Sequence, residues 1–498
     1  MINKNAIGKG VAYLYIEAIA TMFSGYIFWL ILSKITSPSV IGTSSAIISF
    51  ISIFIGVSSV GVGGGIQRFL AKSLADKKIE DIKGFINSSI IIMSIGIVGS
   101  SVIILILRNW IYYSFKIDFG LVIISIIIMA LTSIYSLLRA IIVPSLNTKI
   151  ITTSSIFSVV IKLTVTTILV LFGSGVMGIL VGFLLYPLIS SIILIITVKN
   201  TFYNHHDKIN KNHTISLLYS TKNIFISSLG FWIPPTITTI GSQLGTILVM
   251  ISSGANYAGI YFISFSLVSG IAVIMSVLST IAYPTISSLT DGRKRAVWRL
   301  IKISLVITLP LSHAIIIYSA EILRIFGSSY ANGSLNLEIL LLSILPTAIT
   351  SGIGVLVYAY GNNRQLLIIG LFTSIPRVLL YFIFVPIFGG NGAAITYLMG
   401  SIIGLIVSVI IANKIGFKLF WKQIISISII PILLTIFLKY LGLNYIFGIS
   451  IAIVISYILL LKLRIIDTED IQDILKILPK MIADPMVNII IKISNKLR

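Results

Sequence analysis

Predominantly apolar runs long enough to cross a bilayer recur along this chain, and no other feature constrains its fold as much. A helix crossing the ~30 Å hydrocarbon core needs ~20 such residues, because each adds about 1.5 Å along the axis. Runs of this kind fall near 11–33, 38–62, 84–107, 117–139, 150–172, 176–198, 223–252, 257–283, 300–320, 334–360, 365–388, 391–413, 421–440 and 443–463. Composition agrees, with 57% of the 498 residues hydrophobic and 10% charged, where a soluble domain carries about 45–50% and about 25%. The expected fold is an all-α integral membrane protein of about fourteen transmembrane helices. Soluble enzymes, disordered chains and secreted scaffolds are excluded.

The chain has no cysteine, so disulfides, thiolate metal sites and cysteine nucleophiles are absent. Its histidines (His205, His206, His213, His313) have no clustered carboxylates beside them, which argues against a metal centre; no cofactor is expected. With the N-terminus inside, only Lys34, Arg108, Lys116, Arg324 and Lys439 of the 36 Lys and Arg fall in outside loops, and Lys162 and Arg377 fall mid-span. The remaining 29 lie on the inner side, as the positive-inside rule requires. Both termini are expected in the cytoplasm of a plasma-membrane protein, with no cleavable leader. The net charge of +22 is thereby explained without nucleic acid. Clusters such as Arg293-Lys294-Arg295 and Lys72 with Lys77-Lys78 are topogenic and attract anionic lipid headgroups.

An internal repeat organises the spans. Ser37-Pro38-Ser39-Val40-Ile41-Gly42 and Ala255-Asn256-Tyr257-Ala258-Gly259 each open a span after a short outside loop, with Gly42 and Gly259 217 residues apart. Lys162 and Arg377 are 215 apart, as are Lys149 and Arg364. Six spans separate each pair, so the repeats run parallel. The expected organisation is an N-terminal six-helix bundle (1–198), a cytoplasmic linker (199–222), a pseudo-symmetric second bundle (223–413), two further helices (414–463) and an amphipathic tail on the inner surface (464–498).

An ionisable residue at the bilayer centre costs ~2.5–3.5 kcal/mol on insertion scales and usually faces a cavity or a partner. Lys162 and Arg377 are therefore candidates to line a cationic cavity, with Arg68 and Arg139 at inner span ends as further candidates; a pyrophosphate is the group such a cavity attracts. Topogenic anchoring is the competing role for Arg68 and Arg139. Gln243 is placed to bond a sugar hydroxyl or a neighbouring helix. Glu17, the one acid deep in a span, is a candidate for proton or sodium coupling, or else neutralises a cation in a packing pair. Pro234-Pro235, Pro376 and the glycines from Gly61 to Gly65 mark expected helix breaks.

Leu32-Ser33-Lys34-Ile35-Thr36-Ser37-Pro38-Ser39-Val40-Ile41-Gly42 resembles the opening motif of polysaccharide transporters, with Lys34 where Arg is commoner. Ala258-Gly259-Ile260-Tyr261 through Tyr283-Pro284-Thr285-Ile286-Ser287-Ser288-Leu289 resembles their span 8 signature. Ile325-Phe326-Gly327-Ser328-Ser329-Tyr330, Tyr358-Ala359-Tyr360-Gly361-Asn362 and Gly389-Gly390-Asn391-Gly392-Ala393-Ala394 resemble three later motifs, in order. The similarity runs over about residues 5–465 and identifies the oligosaccharide flippases, in the superfamily that also holds multidrug and toxin extrusion transporters and lipid II flippases. It implies a V-shaped pair of six-helix bundles working by alternating access, as a monomer among membrane lipids. The implied partner is a polyprenyl-pyrophosphate-linked oligosaccharide moved from the inner to the outer leaflet. A cation-coupled drug exporter is the alternative, disfavoured by two buried cations against one buried acid. A membrane glycosyltransferase or polymerase is disfavoured because the outside acids (Asp118, Glu321, Glu338) sit on short loops.

Overall fold

The computed structural model describes residues 4–76, 79–203, 217–463 and 465; the expected surface tail lies outside them save for Ile465, as does most of the linker. No strand occurs among the described residues. Among the described residues thirteen helical segments are long and apolar enough to cross a membrane, and this is a multi-pass membrane protein. One segment, Arg364–Lys414, has 51 residues, more than any bilayer needs. It lies in α15 (Asn363–Lys414), which is two helices bent at Gly389 (φ 57°, ψ −130°). The fourteen expected crossings are thus present, two of them joined.

Gly389 allows that joint because a side chain there would be strained at positive φ and would meet Ser253 Oγ at 2.9 Å. Residues held in such regions cost of order 1–3 kcal/mol. Gly389→Ala is therefore expected to lower stability by about 2 kcal/mol, read as an earlier unfolding midpoint in detergent.

By contact the chain forms two compact units, Met1–Ile263 with Val378–Ala393, and Ser264–Arg377 with Ala394–Arg498. In the first unit α9 (Leu217–Ser253) packs on α2 (Pro38–Ser58), α3 (Val62–Ala75) and α4 (Ile79–Ile106). Its seam with α3 is built from glycines. A Cβ on Gly61, Gly64 or Gly65 would come within 2.4 Å of Ser228 or Phe231. The run Gly61–Gly65 does break the second span, since Gly61 is left-handed (φ 66°) and separates α2 from α3. Pro234-Pro235 does not break α9, which stays helical across both. Thr238 and Thr239 donate back to the carbonyls of Pro234 and Pro235 at 2.9 Å each, so the turn after the prolines is held.

The repeat's two glycines meet. A Cβ on Gly42 would lie 1.8 Å from the carbonyl oxygen of Ala255, and one on Gly259 would lie 2.0 Å from that of Pro38. Both contacts preserve the 217-residue offset, so α2 and α10 (Ala255–Ser287) cross at their starts in a locally two-fold, reciprocal way.

The other helices of the first unit are α1 (Lys4–Ile35), α6 (Phe119–Ile142), α7 (Thr148–Leu171) and α8 (Gly175–Val198), with α5 (Arg108–Phe115) short. In the second unit α11 (Arg293–Ile317) is central, followed by the short α12 (Ser319–Arg324) and α13 (Ser334–Leu342). It packs on α14 (Ile344–Ala359), α16 (Trp421–Tyr440) and α17 (Tyr445–Lys462), and its interior turns are held by Ser304, Thr308 and Ser312 donating to carbonyls four residues back. The two C-terminal helices are tied to it where Tyr318 donates to the Leu443 carbonyl at 3.2 Å over Gly448, whose missing Cβ leaves room for the phenol.

Candidate functional site

Helical periodicity builds the site on four helices of the first unit. Residues spaced by three and four share a face, so Glu17, Thr21, Ser24 and Phe28 form one stripe of α1. Thr132, Tyr135 and Arg139 form a stripe of α6, and Ser155, Val159 and Lys162 one of α7. Phe183 and Tyr186 add the α8 wall. These stripes converge. Together with α2 they enclose a cavity of about 340 Å³ lined by Thr21, Ser24, Ser52, Thr132, Lys162 and Tyr186, among apolar side chains.

Lys162 supplies the cavity's cation. Its Nζ stands 3.4 Å from the centroid of the Phe183 ring and 4.4 Å from that of Phe28, and no carboxylate among the described residues pairs with it. Ammonium over an aromatic face gains about 2 kcal/mol when desolvated, close to the ~2.5–3.5 kcal/mol a mid-span cation costs. The rings hold the charge in place without neutralising it.

Glu17 is 5% exposed and is not a lone charge. Arg139 donates to its Oε2 at 2.7 Å. Ser155 donates to Oε1 at 3.1 Å, with Tyr135 at 3.4 Å. Tyr135 in turn lies 3.3 Å from the Tyr186 hydroxyl, and Tyr186 lines the cavity of Lys162. One hydrogen-bonded path therefore runs from the Glu17–Arg139 pair to the cavity wall. Nothing in composition or charge singles out Tyr135, Ser155 and Tyr186. The four-residue spacing of Tyr135 and Arg139 is the signal that could have found the first of them.

The remaining candidates lie elsewhere. Arg68 is exposed on α3, past the Gly61 break. Gln243 accepts from Ser49 at 3.0 Å, joining α9 to α2. Arg377 belongs to the second unit, 5% exposed, where it donates to Ser401 Oγ at 2.6 Å and stacks 3.9 Å from the Tyr397 ring. It bridges the two halves of α15, seated on Gly400, with Thr373 on Gly404. That pair of glycines is a G-x-x-x-G seam, the small-residue spacing that lets membrane helices approach. Gly178 and Gly182 give α8 the same spacing, against Leu169 and Thr166 of α7. Neither seam stands out in the sequence, where glycine is common.

The sequence matches the family described as polysaccharide biosynthesis protein over residues 31–334. The chain belongs to that family. Three of the five motifs quoted above, those at 32–42, 258–289 and 325–330, lie within this range. No curated protein matches the chain. Among solved structures, the chain is similar to the lipid II flippase MurJ in an inward closed conformation, at 17% identity and a TM-score of 0.65, over 90% of this chain and 97% of that one. It is also similar to a multidrug resistance MATE family transporter of the MOP superfamily. The inward-facing form gives 15% identity and a TM-score of 0.58 over 84% and 99% of the two chains. The outward-facing form gives 14% and 0.56 over 84% and 96%. At such identities the likeness is one of fold.

Proposed function

We propose that the chain is a flippase that carries a polyprenyl-pyrophosphate-linked oligosaccharide from the inner to the outer leaflet of the cell membrane, for polysaccharide or glycoprotein biosynthesis, by alternating access. The observation that carries this reading is the Lys162 cavity. It offers an ammonium without a carboxylate partner, a ring of hydroxyls and flanking aromatic faces, in a member of the polysaccharide biosynthesis family. An anion is drawn to the ammonium, the hydroxyls of Thr21, Ser24 and Ser52, which donate to their own helix carbonyls, accept from a sugar, and aromatic faces pack against its C–H surface. The polyprenyl chain stays in lipid, with both termini of the protein on the cytoplasmic side. Arg377 and Gln243, engaged by Ser401 and Ser49, hold their helix pairs in register in this reading. A drug exporter that exchanges a cation for an organic base needs a free buried carboxylate. The Lys162 cavity is lined by no carboxylate that could hold an organic base.

The test is reconstitution in liposomes carrying a pyrophosphate-linked polyprenyl oligosaccharide, with lectin or periodate access read at the outer face. Protein-dependent exposure of glycan supports the reading, and none under any imposed proton or sodium gradient overturns it.

Glu17 is proposed as the ion-coupling residue, acting through Tyr135 and Tyr186. Glu17→Gln retains an acceptor for Ser155 and Tyr135 but removes the charge facing Arg139. Arg139 is still partly open to solvent, its side chain 42% exposed, so the stability loss is expected at about 1 kcal/mol, below the 3–5 kcal/mol of a fully buried pair. Transport driven by a proton or sodium gradient is expected to fall to the rate without a gradient. An unchanged gradient-driven rate removes Glu17 from coupling.

A further inference from the structure

We infer that the second unit carries a built docking site for the headgroup of an anionic phospholipid, formed where the start of α11 meets the connection between α15 and α16. The two segments are more than a hundred residues apart in sequence, yet Trp298 of α11 packs its ring 4.8 Å from that of Phe420. Lys294, four residues before Trp298 and so on the same face, has its Nζ 3.1 Å from where a Cβ on Gly416 would project. Lys294 and Arg295 from one segment and Lys414, Lys418 and Lys422 from the other are all exposed there. Between 287–302 and 414–422 the sequence offers a single acid, Asp291, and that carboxylate turns back to the Gly292 backbone N–H at 2.6 Å.

Topogenesis accounts for the sign of these charges but not for their convergence. It needs basic residues on one side, in any arrangement. The Trp298–Phe420 ring contact and the Lys294–Gly416 approach join the two segments, and Arg293 fixes the α11 side. Its Nε donates to the Leu289 carbonyl at 2.7 Å, and its Nη atoms to the carbonyls of Ala359 at 3.0 Å and Ser287 at 3.2 Å. It thereby caps the ends of α10 and α14 together and fixes the direction from which Lys294 and Arg295 leave. Two aromatic side chains, Phe420 and Trp421, are 55% and 45% exposed beside the lysines. Aromatic rings at this exposure sit at the headgroup level of a bilayer, and basic residues next to them reach lipid phosphates, each gaining about fivefold in affinity at an anionic surface. The basic-residue bias puts this end of the helices on the cytoplasmic side, so the ligand is an inner-leaflet lipid. Its site is distinct from the Lys162 cavity, which lies in the other unit, and stands whether or not the flippase reading does.

Native mass spectrometry of the full-length protein, released from mixed micelles of phosphatidylglycerol and phosphatidylcholine at equal mole fraction, tests the site. The wild type is expected to retain phosphatidylglycerol preferentially. The triple variant Lys294→Gln, Lys418→Gln, Lys422→Gln is expected to lose about a hundredfold of that preference, and Lys418→Gln alone about fivefold. Equal retention of the two lipids by the wild type overturns the inference. So does an unchanged preference in Lys418→Gln, the variant to rely on should the triple variant elute as aggregate. Inorganic phosphate at millimolar concentration that abolishes the preference shows the site reading free phosphate instead, which also overturns it.

Discussion

Lys162→Glu is expected to reduce glycan flipping in liposomes at least about a hundredfold, with the yield of folded protein within about twofold of the wild type. The magnitude follows from the setting. Losing one partner of a desolvated charge contact costs about 2–5 kcal/mol, and each 1.4 kcal/mol is about tenfold. Reversing the sign adds repulsion of the same substrate. The fold is expected to tolerate the change because Lys162 borders a cavity and pairs with no carboxylate among the described residues, so no acid is stranded. What is lost locally is the contact with the Phe28 and Phe183 rings, whose faces repel a carboxylate. Lys162→Arg keeps charge and ring stacking and is expected to retain most of the flipping. If instead the glutamate variant is lost before purification while the arginine variant behaves normally, Lys162 serves packing and the cavity must find its anion otherwise.

The second large effect concerns the crossing of α2 and α10. Gly42→Ala places a methyl 1.8 Å from the Ala255 carbonyl oxygen, a distance at which backbone must move. Overpacking typically costs 1–3 kcal/mol and occasionally more, and a clash with main chain from both helices belongs at the upper end, about 3 kcal/mol or beyond. Gly259→Ala is expected to match it, since its methyl would meet the Pro38 carbonyl oxygen at 2.0 Å. Denaturation in detergent should show the double variant costing clearly less than the two singles added, because the helices, once parted, admit the second methyl cheaply. Gly99→Ala is the control: a Cβ there meets nothing within 4 Å, and removing a helical glycine is expected to stabilise by about 0.5–1 kcal/mol. Additive losses at 42 and 259 would mean that the two glycines do not share one contact.

The spans were legible because crossing a bilayer imposes length and apolarity on each segment separately, as do the glycines at equal offset that open α2 and α10. Mid-span charges were legible for the same reason: Glu17 and Lys162 stand out wherever they point. Their partners were not. Arg139 looked like an anchor at the end of its span, and only the packing of α1 against α7 and α6 against α8 brings it to a carboxylate 122 residues away. Pro234-Pro235 misled because a proline removes one donor and says nothing about the threonines that hold the next turn. The glycines at 61, 64 and 65 read as a break, which Gly61 is, but the other two break nothing. They are instead the surface on which α9 lies closest.

The reciprocal meeting of Gly42 with Ala255 and of Gly259 with Pro38 has an evolutionary consequence. A contact in which each side presents the same patch to the other is isologous, the kind made by two copies of one chain about a two-fold axis. An ancestral protein of a single repeat would have carried both halves of this crossing and could have dimerised through it before duplication joined the copies. Once fused, the halves lose their identity but not their dependence. Neither glycine can drift to a larger residue unless the opposite helix start retreats, so substitutions around 42 and 259 should appear as matched pairs in descendants of that fusion.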